Sequence, residues 1–354
     1  MTPDSGPIST TESAVPATRS VVEIGGRMRF VIFGAGAIGG LIGGRLFEAG
    51  ADVTLVARGD HERVLRRDGL TLASRDGTVT LPVPTVGTIA AAEPRSGDVV
   101  VLAMKSQHTP AAVAELAAAA SDGAPGVRVV CAQNGVENER VALRAFADVY
   151  AMNVMMPATH MEPGEVVAHS APTTGLLDLG RYPSGVDDAA AEIAAVLSHA
   201  TFSSQPLADV MRWKYRKLIL NLGNAVEAVC GPSSWSSPLS RLVRHEGEVA
   251  LHAAGIDAAS VEDDMVRRGD LLDMRPVPGH DRRGGSSWQS LARGLGSVET
   301  DYLTGEIVLL GRLHGVPTPA NELLQRLANE MAAERRRPGS VPESDVLARL
   351  GVPG

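Results

Sequence analysis

The chain has 354 residues, a formal net charge of −8 and a pI of about 5.6, with 44% hydrophobic and 3% aromatic residues. This length suits two domains, and the acidic balance argues against a nucleic-acid or polyanion surface. No apolar run reaches the roughly 18 residues of a membrane span, so we expect no membrane partner and a cytoplasmic location. Cys131 and Cys230 lack zinc or disulfide spacing, and we expect no metal.

Both ends of the chain have the composition of irregular segments. Residues 1–27 are rich in Ser, Thr, Pro and Gly, which predicts a disordered extension without a signal peptide and places the start of the fold at Met28. Residues 338–354 are punctuated by Pro and Gly, so we expect a tail there with one short helix at 343–350.

A glycine-rich turn follows the first apolar run, residues 29–33. A helix-compatible segment (40–49) and a second apolar run (52–58) come next, giving strand, turn, helix and strand within about 30 residues. The first glycine permits a tight turn, the second lets the backbone approach a pyrophosphate, and the third lets the helix pack on the strand. We therefore predict a dinucleotide site. Its turn consists of Gly34, Ala35, Gly36, Ala37, Ile38 and Gly39.

Arg58 ends the second predicted strand, where a dinucleotide enzyme recognises the adenosine ribose. NAD enzymes usually place a carboxylate there, but the first acid in this chain is Asp60. A guanidinium binds a 2′-phosphate through paired hydrogen bonds, whereas a carboxylate repels it. The sequence therefore predicts NADPH as the cofactor, and a solvated surface arginine is the alternative interpretation of Arg58.

The α/β pattern continues to about residue 205. Asp76-Gly77 predicts a hairpin within 69–84. Further strands are predicted at 98–104, 127–132, 150–156, 165–169 and 174–180, the last three closing the sheet, and helices at 111–120 and 189–200. Lys105 follows the first of these strands and Asn134 the second. Because carboxyl ends of parallel strands meet at the ligand-binding edge of a sheet, we expect both near the cofactor, with the Asn134 amide available to nicotinamide or substrate.

Strand signals vanish after residue 207. Helical periods run over 207–230, 238–254, 258–272, 287–313 and 319–337. The predicted fold class is therefore α/β plus all-α. A doubly wound, Rossmann-type NADP-binding domain (28–205) precedes a helical domain (206–337) for substrate binding, whose apolar character also predicts a homodimer.

The first helix of this second domain carries an unusual polar face. Lys217, Asn221 and Asn224 recur at i, i+4 and i+7, so they share one side of the helix. Aliphatic neighbours predict burial, and buried ammonium and amide groups cost several kcal/mol unless they are paired. Either other protein groups pair with them or a polar substrate does, and the dinucleotide turn earlier in the chain favours the substrate.

Residues 28–334 resemble the ketopantoate reductase (2-dehydropantoate 2-reductase) family. The matching features are the glycine turn, Lys105, Gln133-Asn134-Gly135, Lys217-Leu218 with Asn221, Gly285-Ser286-Ser287, Glu299-Thr300-Asp301 and Gly315-Val316-Pro317-Thr318-Pro319-Ala320-Asn321. The resemblance implies NADPH-dependent reduction of a small 2-keto acid, 2-dehydropantoate to pantoate in pantothenate biosynthesis. It also implies that a Rossmann domain and a helical domain clasp the substrate between them.

The resemblance also implies roles for individual residues. It makes Lys217 the catalytic lysine and Glu299 the acid that helps to bind substrate. Ser287 contacts the substrate carboxylate, beside Asn221 and Asn224. The remaining roles concern the cofactor and the active-site geometry, and they fall to Asn134, Lys105 and Arg58. Hydride transfer from nicotinamide leaves a developing alkoxide, which a lysine ammonium can protonate and stabilise.

The distance between Ser287 and Glu299 sets a geometric condition on a shared site. A straight helix separates residues 12 positions apart by about 18 Å, which a small keto acid cannot span. The helical period must therefore break between them, and we expect the break at Gly294 and Gly296.

Three features leave alternatives open. Asn224 follows Asn221 by three residues where the family spacing is four, and Arg283-Gly284-Gly285 stands where many members carry asparagine. A different keto acid, or an imine as in opine-type dehydrogenases, is therefore an alternative substrate. Lys214 is a second candidate for the role of Lys217. A non-catalytic NADP-binding sensor is the alternative from another class, and the presence of both Lys217 and Glu299 disfavours it.

Overall fold

A computed structural model describes residues 28–120, 126–232 and 236–352. The predicted extension at 1–27 lies outside these ranges. In chain order the strands are β1 (Arg29–Phe33), β2 (Asp52–Val56), β3 (Leu70–Ser74), β4 (Gly77–Leu81), β5 (Thr85–Val86), β6 (Val99–Leu102), β7 (Arg128–Cys131), β8 (Asp148–Met155), β9 (Ala158–Thr159), β10 (Glu165–Ala168), β11 (Ser170–Pro172), β12 (Leu176–Arg181) and β13 (Leu272–Met274). The helices are α1 (Ala37–Glu48), α2 (Gly59–Asp68), α3 (Thr109–Ala119), α4 (Asn138–Leu143), α5 (Asp188–His199), α6 (Val210–Cys230), α7 (Pro238–Ala253), α8 (Val261–Arg268), α9 (Ser286–Ala292), α10 (Thr304–His314), α11 (Pro319–Ala333) and α12 (Glu343–Arg349).

The N-terminal half is built on a seven-stranded sheet in the order β12-β8-β7-β6-β1-β2-β5. Its neighbouring strands are parallel except β12, which runs antiparallel to β8. The central strand β6, Val99–Leu102, is buried at every position, as expected of a parallel strand covered on both faces. The strand order reverses direction on either side of β1, which is the doubly wound arrangement. The predicted Rossmann-type domain is therefore confirmed.

Helix α1 lies between this sheet and a second, four-stranded sheet in the order β4-β3-β10-β9. Its glycines make the double packing possible, because a Cβ on Gly43 would lie 2.5 Å from Leu55, and one on Gly40 would lie 2.6 Å from Val166. The predicted hairpin is confirmed as β3 and β4. The prediction that 165–169 closes the main sheet is wrong, since β10 pairs with β3 and covers α1 from the other side.

The second half is mainly helical, as predicted, and α6 is its central element. Packed around α6 are α7, α9 and α11, and the shared core includes Leu218, Leu222, Val226, Leu324 and Met331. The prediction that strands cease after residue 207 is wrong. Helix α8 ends at Arg268, and residues 272–274 form β13, which pairs with β11 of the first half.

Two further predictions concern the later helices. The break between Ser287 and Glu299 is confirmed, because α9 ends at Ala292 and is followed by Gly294 (φ 62°) and Gly296 (φ 74°). The short helix near the C-terminus is confirmed as α12, but Val341, Val346 and Leu347 of the predicted tail are part of the core. The amides of Gly339 and Val341 donate to carbonyls of α6 at 2.9 and 3.1 Å. Within the described ranges, no helix combines the length and apolarity that crossing a bilayer requires.

Candidate active site between the two domains

The glycine turn leads from β1 into α1 as predicted, and its three glycines face different surroundings. Gly34 has φ 105°, and a Cβ there would lie 2.8 Å from the backbone nitrogen of Met104. A Cβ on Gly39 would lie 2.0 Å from the Gly34 carbonyl oxygen, whereas one on Gly36 would meet no atom within 4 Å. The first and third glycines therefore shape the turn, and the second faces open space at the N-terminus of α1. The turn fits a dinucleotide pyrophosphate.

This contrast predicts opposite effects for two alanine substitutions. Gly36→Ala is expected to leave the melting temperature within a few degrees of wild type and to weaken NADPH binding about tenfold or more, because its methyl group occupies the phosphate approach. Gly39→Ala is expected to lower the melting temperature, because its methyl group collides with the turn itself. Thermal denaturation and NADPH fluorescence titration measure both effects. Wild-type affinity in Gly36→Ala would contradict the placement of the cofactor.

Arg58 lies at the end of β2 and lines a pocket of about 490 Å³ with His61, His160 and Arg293, among others. The pocket adjoins the glycine turn, because the Nε2–H of His61 donates to the Ala35 carbonyl oxygen at 2.7 Å. The Arg58 guanidinium is exposed, and it pairs with Glu115 of α3 at 3.0 Å. A 2′-phosphate therefore has to compete with this carboxylate, a partner 57 residues away that the local pattern of the sequence did not indicate.

Lys105 and Glu299 connect the two halves of the chain. The Lys105 ammonium donates to the hydroxyl of Ser290 on α9. Burial lowers the pKa of Lys105, and the negative charge of Glu299 partly offsets this effect. Glu299 is 5% exposed, and its Oε1 accepts hydrogen bonds from the backbone nitrogen and the hydroxyl of Ser106, both at 2.8 Å. The carboxylate is therefore held at the carboxyl edge of the sheet.

Asn134 follows β7 at the same edge, as predicted. Its backbone carbonyl oxygen accepts from the Asn138 side-chain amide at 2.9 Å and lies 3.2 Å from the Ser106 hydroxyl, whose single hydrogen goes to the nearer Glu299. The next residue, Gly135, has φ 78°, and a Cβ there would lie 2.8 Å from the Tyr302 carbonyl oxygen. The turn is thus fixed by its backbone, and within the described part of the chain the Asn134 side chain makes no hydrogen bond. Its amide is available to a ligand.

The polar face of α6 has the predicted composition, and its donors are largely unpaired. The Asn224 amide donates to the Asn221 Oδ1 at 3.5 Å, the limit of a hydrogen bond. The Asn221 Nδ2 is buried without a partner. Lys217 makes no hydrogen bond or ion pair with any residue that the structure describes. Burial lowers the pKa of Lys217 to about 7, reinforced by the positive charge of Lys214. Other protein groups therefore leave these donors unsatisfied.

Ser287 is buried near the start of α9, which packs against α6. The Gly285 amide, which begins this helix, donates to Glu227 of α6 at 2.7 Å. A Cβ on Gly285 would lie 2.6 Å from the Oδ1 of Asn224. The shifted asparagine and the glycine directly before the serine pair are thus neighbours. The two departures from the family pattern form one local arrangement, in which Asn224 supports Gly285.

Lys214 is placed differently from Lys217, although only three positions separate them. Its ammonium is 3% exposed, forms an ion pair with Glu139 of α4 and donates to the Gln133 carbonyl oxygen at 3.1 Å. Two of its three N–H donors are thus engaged inside the protein, whereas those of Lys217 have no partner among the described residues, which favours Lys217 as the donor to a ligand. Of the 33 Lys and Arg residues in the chain, only three are lysines, namely Lys105, Lys214 and Lys217. All three lie where the two halves of the chain meet.

The arrangement combines unpaired polar donors on α6 with a titratable cation. Lys217 has a pKa near neutrality, so it can give up a proton at physiological pH. The charge of Glu299 opposes that loss and keeps the ammonium populated. The sequence did not indicate the bridging role of Ser106 or the Lys214–Glu139 pair. The scarcity of lysine could have pointed to the Lys214–Glu139 pair, because nearly all other cations of the chain are arginines.

Comparisons with known proteins identify the family of the chain. The family described as ketopantoate reductase PanE/ApbA matches residues 30–184, and its C-terminal counterpart matches residues 209–332. A 2-dehydropantoate 2-reductase of Halobacterium salinarum is 29% identical over 308 residues, covering 85% of this chain and 97% of that protein. The corresponding protein of Pyrococcus horikoshii is 27% identical over 312 residues, covering 85% and 96%.

Solved structures show the same architecture. A PanE/ApbA family ketopantoate reductase from Ralstonia eutropha JMP134 is 27% identical, with a TM-score of 0.72, covering 87% of this chain and 99% of that one. D-mandelate dehydrogenase with NADH and anilino(oxo)acetate has a TM-score of 0.73 over 87% and 99%, and its 22% identity supports the fold alone. Because the two family regions together span most of the chain, this protein is an oxidoreductase that belongs to the ketopantoate reductase PanE/ApbA family.

Proposed function

We propose that this protein reduces 2-dehydropantoate to pantoate with NADPH, in the cytoplasm, as a step of pantothenate biosynthesis. The observation that carries the proposal is the set of unpaired donors on α6, the Lys217 ammonium and the buried Asn221 amide, together with the carboxylate of Glu299. Such groups fit a small molecule that offers a carbonyl, a carboxylate and a hydroxyl. The names of the relatives support the same substrate.

The residues of this chain bind and protonate the substrate in this proposal. NADPH, when bound, supplies a hydride from C4 of its nicotinamide to the carbonyl carbon. Lys217 donates a hydrogen bond to the carbonyl oxygen and then transfers its proton to it, so that hydride and proton together give the hydroxyl group. Glu299 binds the substrate and holds Lys217 in its charged form. Asn221 and Ser287 orient the carboxylate end.

Cofactor oxidation with a panel of substrates tests this function. The loss of NADPH absorbance is expected to give the highest kcat/KM with 2-dehydropantoate. A higher value with another 2-keto acid would replace the proposed substrate, and turnover that requires an added amine would indicate an opine-type reaction. Tight NADPH binding without turnover on any compound of the panel would contradict the proposal and favour a sensor.

The cofactor preference is tested separately through Arg58. Arg58→Gln is expected to weaken NADPH binding about 10- to 100-fold and to leave NADH binding nearly unchanged, because only NADPH offers the 2′-phosphate to the guanidinium. Fluorescence titration with each cofactor measures this. Arg63→Gln is the matched control, since Arg63 is an exposed arginine of α2, the helix that follows Arg58, and it pairs with Asp60. If Arg58→Gln weakened the binding of NADPH and of NADH equally, Arg58 would not be the residue that recognises the 2′-phosphate.

We also propose a homodimer that forms through the helical domain. Leu309 and Leu313 lie one turn apart on α10 and are 48% and 67% exposed. Neighbouring exposed leucines on one face of a helix can contribute to an apolar association surface. Light scattering at several protein concentrations measures the mass, and a monomer at all of them would contradict this proposal.

A further inference from the structure

Lys214 is the most deeply buried cation that the structure describes at the junction of the two halves. It is 3% exposed, and its partner Glu139 is fully buried. A buried ion pair is weak evidence for stability, because well-packed apolar residues in its place are often as stable or more so. The Oε2 of Glu139 is also buried without a hydrogen bond, which adds to the cost of burial. The pair therefore calls for an explanation other than stability.

The geometry of the pair connects α6 to the edge of the sheet. Lys214 lies one helical turn before Lys217, and its ammonium reaches both Glu139 of α4 and the Gln133 carbonyl oxygen after β7. Gln133 directly precedes Asn134 in the turn that faces the site. The ion pair thus ties the helix that carries Lys217 to the turn that carries Asn134.

A chain of hydrogen bonds continues from this point to the carboxylate of the site. The Gln133 amide donates to the Thr109 hydroxyl at 2.9 Å, and Thr109 donates to the Asn138 Oδ1 at 2.7 Å. The Asn138 amide donates to the Ser106 hydroxyl at 3.1 Å, and Ser106 donates to Glu299 at 2.8 Å. One buried polar network therefore contacts α6 at one end and Glu299 at the other.

We propose that the Lys214–Glu139 pair is a positioning device that holds α6 against the sheet edge and sets the charge state of Lys217. The inference rests on the proposed role of Lys217 as proton donor. The groups whose charges act on Lys217 are Lys214 and Arg268, which disfavour its proton, and Glu299 and Asp264, which favour it. Lys214 is the only one of the four on the same helix. Its fixed positive charge adds to burial in bringing Lys217 toward neutrality.

The double variant Lys214→Met/Glu139→Leu separates this role from a structural one. Lys214→Met alone leaves a buried carboxylate unpaired and is expected to destabilise the fold. The double variant removes both charges and is expected to melt near the wild-type temperature. Its kcat is nonetheless expected to fall off at a higher pH than in wild type, because Lys214, and not Glu139, is among the groups whose charges act on Lys217. Lys214→Arg keeps that charge and is expected to restore the wild-type profile.

Amine labelling measures the protonation of Lys217 directly and does not require turnover. The chain contains three lysines, so acylation by a water-soluble amine reagent, followed by mass spectrometry, reports Lys217 individually. In wild type the reactivity of Lys217 is expected to rise through about pH 7. In the double variant the rise is expected at higher pH. Arg212→Gln is the matched control, since it removes a positive charge from α6 that pairs with Asp209 and Asp257 instead.

The outcomes distinguish the two proposals. If the dependence of Lys217 labelling on pH is unchanged in a folded double variant, the proposed role of the Lys214–Glu139 pair is wrong. This conclusion does not depend on which substrate the enzyme reduces. A shifted labelling curve in a protein that reduces no compound of the substrate panel supports the effect of Lys214 on Lys217 and contradicts the proposed function. A curve that shifts as far in Arg212→Gln as in the double variant also overturns the proposal, because any positive charge of α6 would then suffice.

Discussion

Replacement of Lys217 by methionine is expected to lower kcat by about 10²- to 10⁴-fold, the usual contribution of a positioned proton donor. Methionine fills a similar volume but can neither protonate nor stabilise the developing alkoxide. NADPH binding is expected to stay nearly unchanged, because the glycine turn and Arg58 lie on the other domain. Steady-state turnover with 2-dehydropantoate and a fluorescence titration with NADPH measure the two quantities.

The same substitution is expected to raise stability at neutral pH. The pKa of Lys217 falls from an ordinary value of 10.5 to about 7 in the folded protein, so between these values the unfolded chain binds more protons. Wild-type stability therefore rises with pH across this window, and at its lower end the buried charge destabilises the fold. The melting temperature of Lys217→Met at pH 7 is expected to exceed that of wild type. Near-normal turnover in this variant would contradict the catalytic role.

Glu299→Gln is expected to lower kcat/KM by about 10²- to 10³-fold. The amide oxygen can still accept from Ser106, so the fold is preserved while the negative charge is lost. That charge raises the pKa of Lys217, so its loss lowers this pKa further. Because activity requires the protonated lysine, the decline of kcat with rising pH moves to lower pH. A pH series of kcat in this variant measures the shift.

Asp301→Asn is the matched control for this prediction. Asp301 is an exposed acid two residues further along, and it accepts hydrogen bonds from Gln325 and Asn329 at 2.8 and 2.7 Å. The Asp301→Asn substitution removes a negative charge near Glu299 without changing Glu299 itself. We expect this variant to keep the wild-type pH dependence of kcat. A decline that stays in place in Glu299→Gln, or moves to higher pH, would show that Glu299 does not act on Lys217.

Features of the site that depend on short stretches of sequence were predictable. The glycine turn is specified within six residues, and the polar face of α6 follows from spacing along one helix. The break after α9 follows from two glycines that adopt left-handed backbone conformations. In each case the residues that decide the outcome are neighbours in the chain, so periodicity and turn chemistry are sufficient.

Features that depend on distant pairings were not predictable. Strand β10 joins β3 across about ninety residues, a pairing that alternation within either strand does not reveal. Glu115 reaches Arg58 from another helix, and Lys214 meets Glu139 over a separation of 75 residues. Such an ion pair cannot be recognised from the local sequence, because a single Lys, Arg or Glu is most often an exposed surface residue.

The confinement of lysine to the junction has a practical consequence for observing this protein. Selective ¹⁵N labelling of lysine side chains gives an NMR spectrum with three ammonium resonances, from Lys105, Lys214 and Lys217. Each resonance arises where the two halves of the chain meet, and none arises from the outer surface. Cofactor binding and substrate binding can therefore be followed as separate chemical-shift changes in the enzyme without an attached probe. Lys214, which is paired with Glu139, serves as the internal reference.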